Sequence, residues 1–372
     1  MIQQIISAMQ RTGWIIIDFS GNDATIRIVG NKDVEQVLEI DVSAKCFDLI
    51  AKNKDMTLII KYIDNIDNFS KEKSEELLNI AHIFNSVPLI IGERNRNGNL
   101  ENNILYNRYQ INALNFTTFA SVLEKKEFPR VYSQRGGYFV QIKTKEFKEL
   151  RQSRNLSLAD IAKKLKLTPK AVYEYESNNM KTRLAHFEEM ARIFKFSQQE
   201  FLRQFSETID IFVKLYKSNY ETIRDLVGFQ QEIDHRLTEL GFITYWFNKA
   251  PIDMSFEDAT SDRVINQSLE KEKPLAESRN IFISEISSVK EAGASDLART
   301  IKNTEKKLEK HVAFLKEFGK VLETKCNMVV LLDDQLFQDL KHVHGIPIIH
   351  EHEIPSNAEK LKKIILDRKH TS

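Results

Sequence analysis

In the first 128 positions, apolar residues recur with the spacing of a helix in some segments and with the spacing of a β-strand in others. The opening stretch "MIQQIISAMQRTGWIIIDFS" predicts a helix, a glycine turn and a strand. The runs after it predict two strands, a helix and a buried strand, in the order "KCFDLIAK", "MTLIIKYID", "SEELLNIAHIF" and "VPLIIG". Strands that alternate with helices indicate an α/β domain, which we place at residues 1–128.

A run of short helices follows a hairpin linker. "PRVYSQRGGYFVQI" at 129–142 predicts the hairpin, and from Lys143 to residue 196 apolar positions recur at helical spacing. Ser157 and Asp160 have the spacing of a capping box, which starts a second helix. Thr168 is placed to cap a third helix, with Pro169 at its first position. The sequence therefore predicts an all-helical domain at 143–196.

The third of these helices has a distinct outer face. Val172 and Tyr175 point inward, which leaves Lys170, Ala171, Tyr173 and Glu174 outside. Residues 147–194 resemble the phage-repressor-like, lambda-repressor-like (XRE-type) helix-turn-helix. In that family an Arg of the first helix pairs with the Glu that ends the recognition helix, and the resemblance places Arg151 and Glu176 in those roles. Lys166 stands where the family usually has Gly in the turn, and Leu158 where it often has Gln.

The last third of the chain repeats the order of the first. After a helical connector at 197–228, "EIDHRLTELGFITYW" again predicts helix, glycine and strand. "NIFISEIS" and "NMVVLLDD" correspond to "TLIIKYID" and "VPLIIGER", and Asp253 corresponds to Asp48. We therefore expect residues 229–372 to form a second α/β domain, a diverged repeat of the first.

Composition and charge narrow the class of protein. The 372 residues are 42% hydrophobic and 29% charged, as in globular proteins of two or three domains. No apolar run approaches the ~18 residues that span a bilayer, no signal peptide is evident, and two cysteines suit a reducing compartment. We therefore expect a cytoplasmic protein with no membrane partner.

Positive charge is concentrated in one segment of the chain. Between residues 143 and 183 there are eleven Lys and Arg and only five acidic residues, so this basic segment coincides with the helix-turn-helix.

Together these features predict a regulator that binds double-stranded DNA. Base contacts would come from the four outer residues of the third helix, and phosphate contacts from Ser157, Thr168, Lys181 and Arg183. A homodimer would space its half-sites by about 34 Å. The alternative is an adaptor in which the same helical packing holds RNA or a protein of the transcription or translation machinery.

The strand order around Asp48 resembles the restriction-endonuclease-like fold. That fold needs one Asp, then an acid and a Lys two residues apart on the next strand, to hold a metal ion and water. Lys61 is present, but the acid position is Ile59; in the second half Ser284 and Glu285 follow without a Lys. We therefore expect two degenerate domains and no catalysis. The alternative is a structure-selective, metal-dependent nuclease, with Asp64, Asp67 or Glu93 as further ligands.

Four of the nine histidines lie within eleven residues, at His342, His344, His350 and His352. Zinc uses such ligands, but no closed four-ligand spacing accompanies them, so we expect no metal site and no cofactor.

The order of "VPLIIGERNRNGNLENNILYNRYQI", "RGGYFVQI" and the helix-turn-helix is similar to that in archaeal HTH-type transcriptional regulators. The resemblance implies a DNA-binding regulator with two endonuclease-like α/β domains on either side of the helical domain and no catalytic residues.

Overall fold

The computed structural model describes most of the chain. The described residues are 1–21, 25–29, 34–39, 46–177, 180–213, 226, 228–247, 250, 252–258, 281–287, 302–303, 306, 308–310, 312–313, 315–316, 319, 327–332, 334, 341–343 and 345–370. The protein divides into two compact units. The first unit contains Met1–Thr12, Tyr62–Ser70 and Leu89–Val213, and the second contains Gly13–Lys61, Lys71–Pro88 and Lys214–Ser372.

The elements of the N-terminal part follow the predicted alternation and include strands and a helix that the sequence pattern did not predict. In chain order they are α1 (Ile2–Arg11), β1 (Ile15–Asp18), β2 (Thr25–Val29), β3 (Val34–Glu39), β4 (Leu49–Lys52), β5 (Thr57–Asn65), α2 (Lys71–Ile83), β6 (Val87–Asn95), β7 (Gly98–Asn99), β8 (Ile104–Arg108), β9 (Ile111–Leu114) and α3 (Phe116–Lys125). The elements that were not predicted are the hairpin β2–β3, which extends the sheet beyond β1, and β7, β8, β9 and α3.

The middle part is helical apart from three short strands. Its elements are β10 (Val131–Gln134), β11 (Gly137–Val140), α4 (Thr144–Ser153), α5 (Leu158–Leu165), α6 (Pro169–Glu176), β12 (Thr182–Arg183), α7 (Leu184–Phe194) and α8 (Gln198–Phe205). The C-terminal part contains α9 (Phe229–Glu239), β13 (Phe242–Trp246), β14 (Met254–Asp258), β15 (Ile281–Ser287), β16 (Asn327–Leu332), β17 (His342–Val343), β18 (Ile346–His350) and α10 (Ala358–His370).

The two α/β parts share one strand order. In the N-terminal part the order is β1-β4-β5-β6-β9-β8, and in the C-terminal part it is β13-β14-β15-β16-β18-β17. The first two pairings are antiparallel in both, and β6–β9 and β16–β18 are both parallel. A duplicated α/β domain would produce this agreement.

The same glycine turn starts each half. Gly13 (φ 82°) follows α1 and Gly241 (φ 84°) follows α9, and each leads directly into the first strand. A positive φ of this size is readily adopted only by glycine, so the sequence pattern of helix, glycine and strand has one local cause in both places. The connector expected at 197–228 begins with α8, and its residues 214–225 lie outside the described part of the chain.

Helix α2 is buried around most of its circumference. Nine of its thirteen residues are buried, and they include the polar Glu76, Asn79 and His82 as well as Leu77 and Ile80. A helix on the surface of a sheet would keep a solvated face. α2 is therefore an internal element of the second unit, and several of its polar side chains lie inside the protein.

Candidate nucleic-acid interface

An aromatic cluster packs helices α4, α7 and α8 against one another. Phe147 of α4 contacts Phe194 of α7 and Phe201 of α8, with ring centroids 5.7 Å and 6.5 Å away, and Phe187 lies 4.8 Å from Phe201. All four rings are buried. Aromatic packing of this kind fixes helix positions, so the surface that these helices present is held rigidly.

The turn between α5 and α6 forms without glycine. The side chain of Ser157 accepts from the backbone N–H of Asp160, and the Asp160 carboxylate accepts from the N–H of Ser157, so the predicted capping box is present. The hydrogen bonds from Ser157 hold the pKa of Asp160 below its usual value. At the other end of α5, Lys166 adopts the left-handed conformation with φ 55° and ψ 39°. The geometry that Gly would supply is thus kept by a lysine.

Helix α6 begins and orients as its sequence predicts. The Thr168 side chain accepts from the N–H of Ala171 at 3.2 Å, and Pro169 follows it at the first turn. Val172 and Tyr175 are buried, whereas the side chain of Tyr173 is 55% exposed. The helix therefore has one packed face and one free face, which is the requirement for a recognition helix.

Arg151 and Glu176 fix the C-terminal end of α6. Arg151 Nε lies 2.5 Å from Glu176 Oε1 and Nη2 lies 3.0 Å from Oε2, which is a bidentate pair. Arg151 Nη1 also donates to the Leu156 carbonyl at 2.9 Å. The hydrogen bonds with Glu176 raise the pKa of Arg151. One guanidinium therefore ties the end of α6 to α4 and to the segment that enters α5.

The expected contact residues lie on two neighbouring elements. Lys170 is exposed, and Ala171 and Glu174 are half-buried beside Tyr173 on the outer face of α6. Lys181 and Arg183 are exposed on the segment after it. Thr168 caps α6 through its oxygen, which leaves its hydroxyl hydrogen able to bind an anion at the helix N-terminus.

Ser157 uses its hydrogen-bond donors within the capping box. Its hydroxyl donates to Asp160 Oδ2 at 2.6 Å and its N–H donates to the same oxygen at 2.8 Å. Both of its donors are therefore directed at a carboxylate that would repel phosphate. The phosphate role of Ser157 stays a prediction, in which a phosphate group would replace Asp160 as the acceptor of one of these hydrogen bonds.

The hairpin at 129–142 is more than the expected linker. Strand β11 pairs antiparallel with β12, with Val140 opposite Thr182 and Phe139 opposite Arg183. Lys181 Nζ donates to Gln134 Oε1 at 2.8 Å and lies 5.5 Å from the centroid of the Tyr132 ring. Apolar periodicity could not reveal β12, because it has two residues and its pairing partner lies more than 40 positions away in a different local pattern.

The endonuclease-like site retains one carboxylate and one lysine. Lys61 Nζ lies 2.9 Å from Asp48 Oδ1, and both side chains are largely buried. Ile59, at the position of the second acid, is buried in the core. Asp64 and Asp67 bind Arg94 and Arg108, and Glu93 accepts from Tyr62 at 2.6 Å and helps to raise the pKa of Tyr62, after burial, to about 12. The carboxylates that could have completed the site have other partners.

Asp253 occupies the equivalent backbone position in the second half. The N–H of Phe247 donates to the Asp253 carbonyl at 3.0 Å, as the N–H of Phe19 donates to the Asp48 carbonyl at 2.8 Å. The strand registers place Ser284 opposite Met254, as Ile60 is opposite Leu49. Glu285 therefore takes the register position of Lys61, so this half has no lysine at that position.

Of the four clustered histidines, His350 and His352 lie together, with stacked rings whose centroids are 5.9 Å apart. His342 is exposed and His344 lies outside the described residues. His350 is buried at the end of β18, and His352 Nδ1 binds Asp334 Oδ1 at 2.7 Å, which raises the pKa of His352. Within the described part of the chain, no three His, Cys, Asp or Glu residues are grouped so that they could hold a metal ion. The same part contains no helix long and apolar enough to cross a membrane.

Comparison with known proteins matches both domain types. The PD-(D/E)XK superfamily domain matches residues 20–129, and the helix-turn-helix domain matches residues 147–201. These matches confirm the expected endonuclease-like domain and the XRE-type domain that follows it. No solved structure matches the chain.

The curated proteins that are similar to this chain share one description. A "Putative HTH-type transcriptional regulatory protein" of Methanococcus vannielii is 35% identical over 275 residues, which cover 71% of this chain and 83% of the relative. A protein with this description from Methanocaldococcus jannaschii is 34% identical over 248 residues, covering 65% and 75%. Another from Archaeoglobus fulgidus is 28% identical over 297 residues, covering 79% and 91%. The chain therefore belongs to this archaeal family of HTH-type transcriptional regulatory proteins, as its sequence indicated.

Proposed function

We propose that the protein is a sequence-specific DNA-binding transcriptional regulator that reads the major groove with α6. The observation that carries the proposal is the free face of α6, where exposed Lys170 and Tyr173 stand next to a helix N-terminus capped by Thr168. A helix N-terminus binds phosphate through its backbone N–H groups, and the residues that follow it reach base edges. The names of the relatives support the same function.

The roles divide between the two elements of the interface. Lys170, Ala171, Tyr173 and Glu174 contact base edges from α6. Lysine binds the acceptors of guanine, a carboxylate accepts from the amino group of cytosine, and alanine packs on the thymine methyl group. Thr168, Lys181 and Arg183 bind phosphate and set the register of the helix on the duplex. A symmetric dimer would place two such helices about 34 Å apart.

The endonuclease-like domains act in this proposal as scaffold and not as catalysts. Support comes from the residue types in the site: Ile59 replaces the second acid, and Lys61 is paired with the remaining Asp48. A single carboxylate neutralised by an ammonium group does not provide the charge that holds Mg²⁺ against substrate phosphate.

Selection of random-sequence duplexes by the full chain tests the proposal. The variant Lys170→Ala/Tyr173→Ala should bind the enriched duplex roughly 10- to 100-fold more weakly, as loss of base contacts implies. The matched control is Lys125→Ala/Tyr109→Ala, which removes the same two residue types from exposed positions of the same unit outside the helix-turn-helix. The control should bind like the unmodified protein.

Enrichment of a motif with two-fold symmetry would support both the regulator and its dimer. Absence of any enriched sequence at both low and high salt would contradict the proposal. It would then favour the alternative in which the helical domain holds RNA or a protein of the transcription or translation machinery, and the partners that co-purify with the chain would identify it.

A further inference from the structure

The hairpin β10–β11 ends in an open, side-chain-poor tip. Gln134 pairs with Gly137, so Arg135 and Gly136 form a two-residue turn between them. Gly136 and Gly137 have φ of 102° and 124°, a region that L-amino acids with side chains rarely adopt. Among the described residues other than its two chain neighbours, none has an atom within 4 Å of the position that a Cβ on Gly137 would take. The tip therefore presents bare backbone and one arginine.

Backbone and side-chain bonds attach this hairpin to the proposed DNA-binding surface. Strand β12, which leads from α6 into α7, pairs with β11 through Thr182 and Arg183. Lys181, a proposed phosphate ligand, donates to Gln134 across 2.8 Å. Because Arg135 is the next residue, and adjacent Cα atoms lie about 3.8 Å apart, a duplex that touches Lys181 comes within reach of the Arg135 side chain.

The charge and shape of the tip suit the minor groove of DNA. Residues 131–140 and 180–183 together contain three cations, Arg135, Lys181 and Arg183, and no acid. The minor groove is only about 6 Å wide, so a tip without bulky side chains can approach its sugar edges. Arginine is the side chain that proteins insert there, because a narrow groove concentrates negative potential.

We propose that the tip Arg135–Gly137 is a second DNA contact, which places Arg135 in the minor groove next to the major-groove site of α6. The hairpin then acts as a wing, held in position by the β11–β12 pairing and by Lys181. This inference rests on the proposed function, because it assumes that α6 is bound to a duplex. It adds a preference for A·T-rich sequence at positions that α6 does not contact.

The test uses the full chain and the duplex enriched by the unmodified protein. Arg135→Ala should weaken binding roughly tenfold, lower the slope of log affinity against log salt by about one, and remove hydroxyl-radical protection from one short tract beside the α6 site. Arg96→Ala is the matched control, because Arg96 is also exposed at a turn between two strands of the same unit. Its affinity, salt slope and footprint should be unchanged.

The outcomes distinguish failure of the proposed minor-groove contact from failure of the proposed function. If Arg135→Ala matches the unmodified protein in affinity and footprint while Lys170→Ala/Tyr173→Ala still binds weakly, the wing is wrong and the proposed function stands. If the unmodified protein enriches no duplex, both are wrong. Circular dichroism and urea unfolding of Arg135→Ala should match the unmodified protein, since the residue is exposed on a turn.

Discussion

Arg151 and Glu176 form a bidentate ion pair in which the side chains are only 11% and 5% exposed, respectively. The pair links α4, which carries Arg151, to Glu176, the last residue of α6. A helix of eight residues is too short to be stable in isolation, so the end of α6 needs a tertiary anchor. The pair therefore connects the stability of the domain to the orientation of its outer face.

Removal of one member of this pair should be costly. Glu176→Ala leaves the Arg151 guanidinium largely buried without its carboxylate, and we expect the free energy of unfolding to fall by about 3 kcal/mol. Urea unfolding of the full chain measures the change. The matched control is Glu189→Ala, since Glu189 binds Arg192 at 2.6 Å with side chains 40% and 66% exposed; it should cost under about 1 kcal/mol. Equal losses in the two variants would contradict the argument.

Replacing lysine by glycine should have opposite effects on stability at positions 166 and 163. Lys166→Gly should stabilise the protein by about 0.5 kcal/mol, because relief of the left-handed strain exceeds the entropy that Gly adds to the unfolded chain. Lys163→Gly, inside α5, should destabilise it by about 0.7 kcal/mol. Thermal unfolding of both variants gives the two signs, and a loss of stability in Lys166→Gly would show that the lysine side chain contributes more than its backbone costs.

Local signals predicted much of this domain, and non-local pairing produced the parts that were missed. The caps at Ser157 and Thr168 and the inward face of α6 depend on residues within one or two turns, so they can be predicted from the sequence. Strand β12 exists only because β11 pairs with it, and the burial of polar residues in α2 depends on what surrounds that helix. The phosphate role expected of Ser157 stays a prediction; in the structure both of its donors are bonded to its cap partner Asp160.

The endonuclease-like domain should not cut nucleic acid. Asp48 is bound by Lys61, and the acid position is a buried Ile59, so we expect no Mg²⁺- or Mn²⁺-dependent nicking of DNA or RNA. Incubation of the purified chain with supercoiled, branched and single-stranded substrates measures this directly. Metal-dependent cleavage that Asp48→Ala abolishes would overturn the prediction and favour the structure-selective nuclease.

Glu353 should make the protein more sensitive to acid. Its bidentate hydrogen bonds with Arg368 hold the pKa of Glu353 at about 2, below its ordinary value of 4.5. A depressed pKa in the folded protein stabilises it above the ordinary value, and that contribution disappears as pH falls from 4.5 towards 2. With an allowance for partial solvent exposure, we expect a contribution of about 1 kcal/mol. The stability difference between the unmodified protein and Glu353→Gln, from urea unfolding, should therefore shrink over this pH range; a constant difference would contradict the argument.

A buried carboxylate connects α2 with the C-terminal sheet inside the second unit. Glu257 of β14 accepts from the Tyr245 hydroxyl, and its Oε1 lies 3.2 Å from His82 Nε2 of α2. The side chains of His82 and Glu257 are only 2% and 1% exposed. Loss of the carboxylate removes a hydrogen-bond acceptor from two buried groups at once, so its effect should exceed that of an ordinary core substitution.

Glu257→Leu should therefore lower the free energy of unfolding by about 3 kcal/mol, and Tyr245→Phe, which removes one hydroxyl only, by about 1 kcal/mol. Glu239→Leu is the control, because Glu239 lies 3.5 Å from His235 with both side chains mostly exposed, and it should have little effect. In a double-mutant cycle, His82→Leu should cost less in the Glu257→Leu background than alone. Additive losses would show that the two residues stabilise their elements independently. Coupling would show that His82 of α2 and Glu257 of β14 stabilise the protein through their contact with each other.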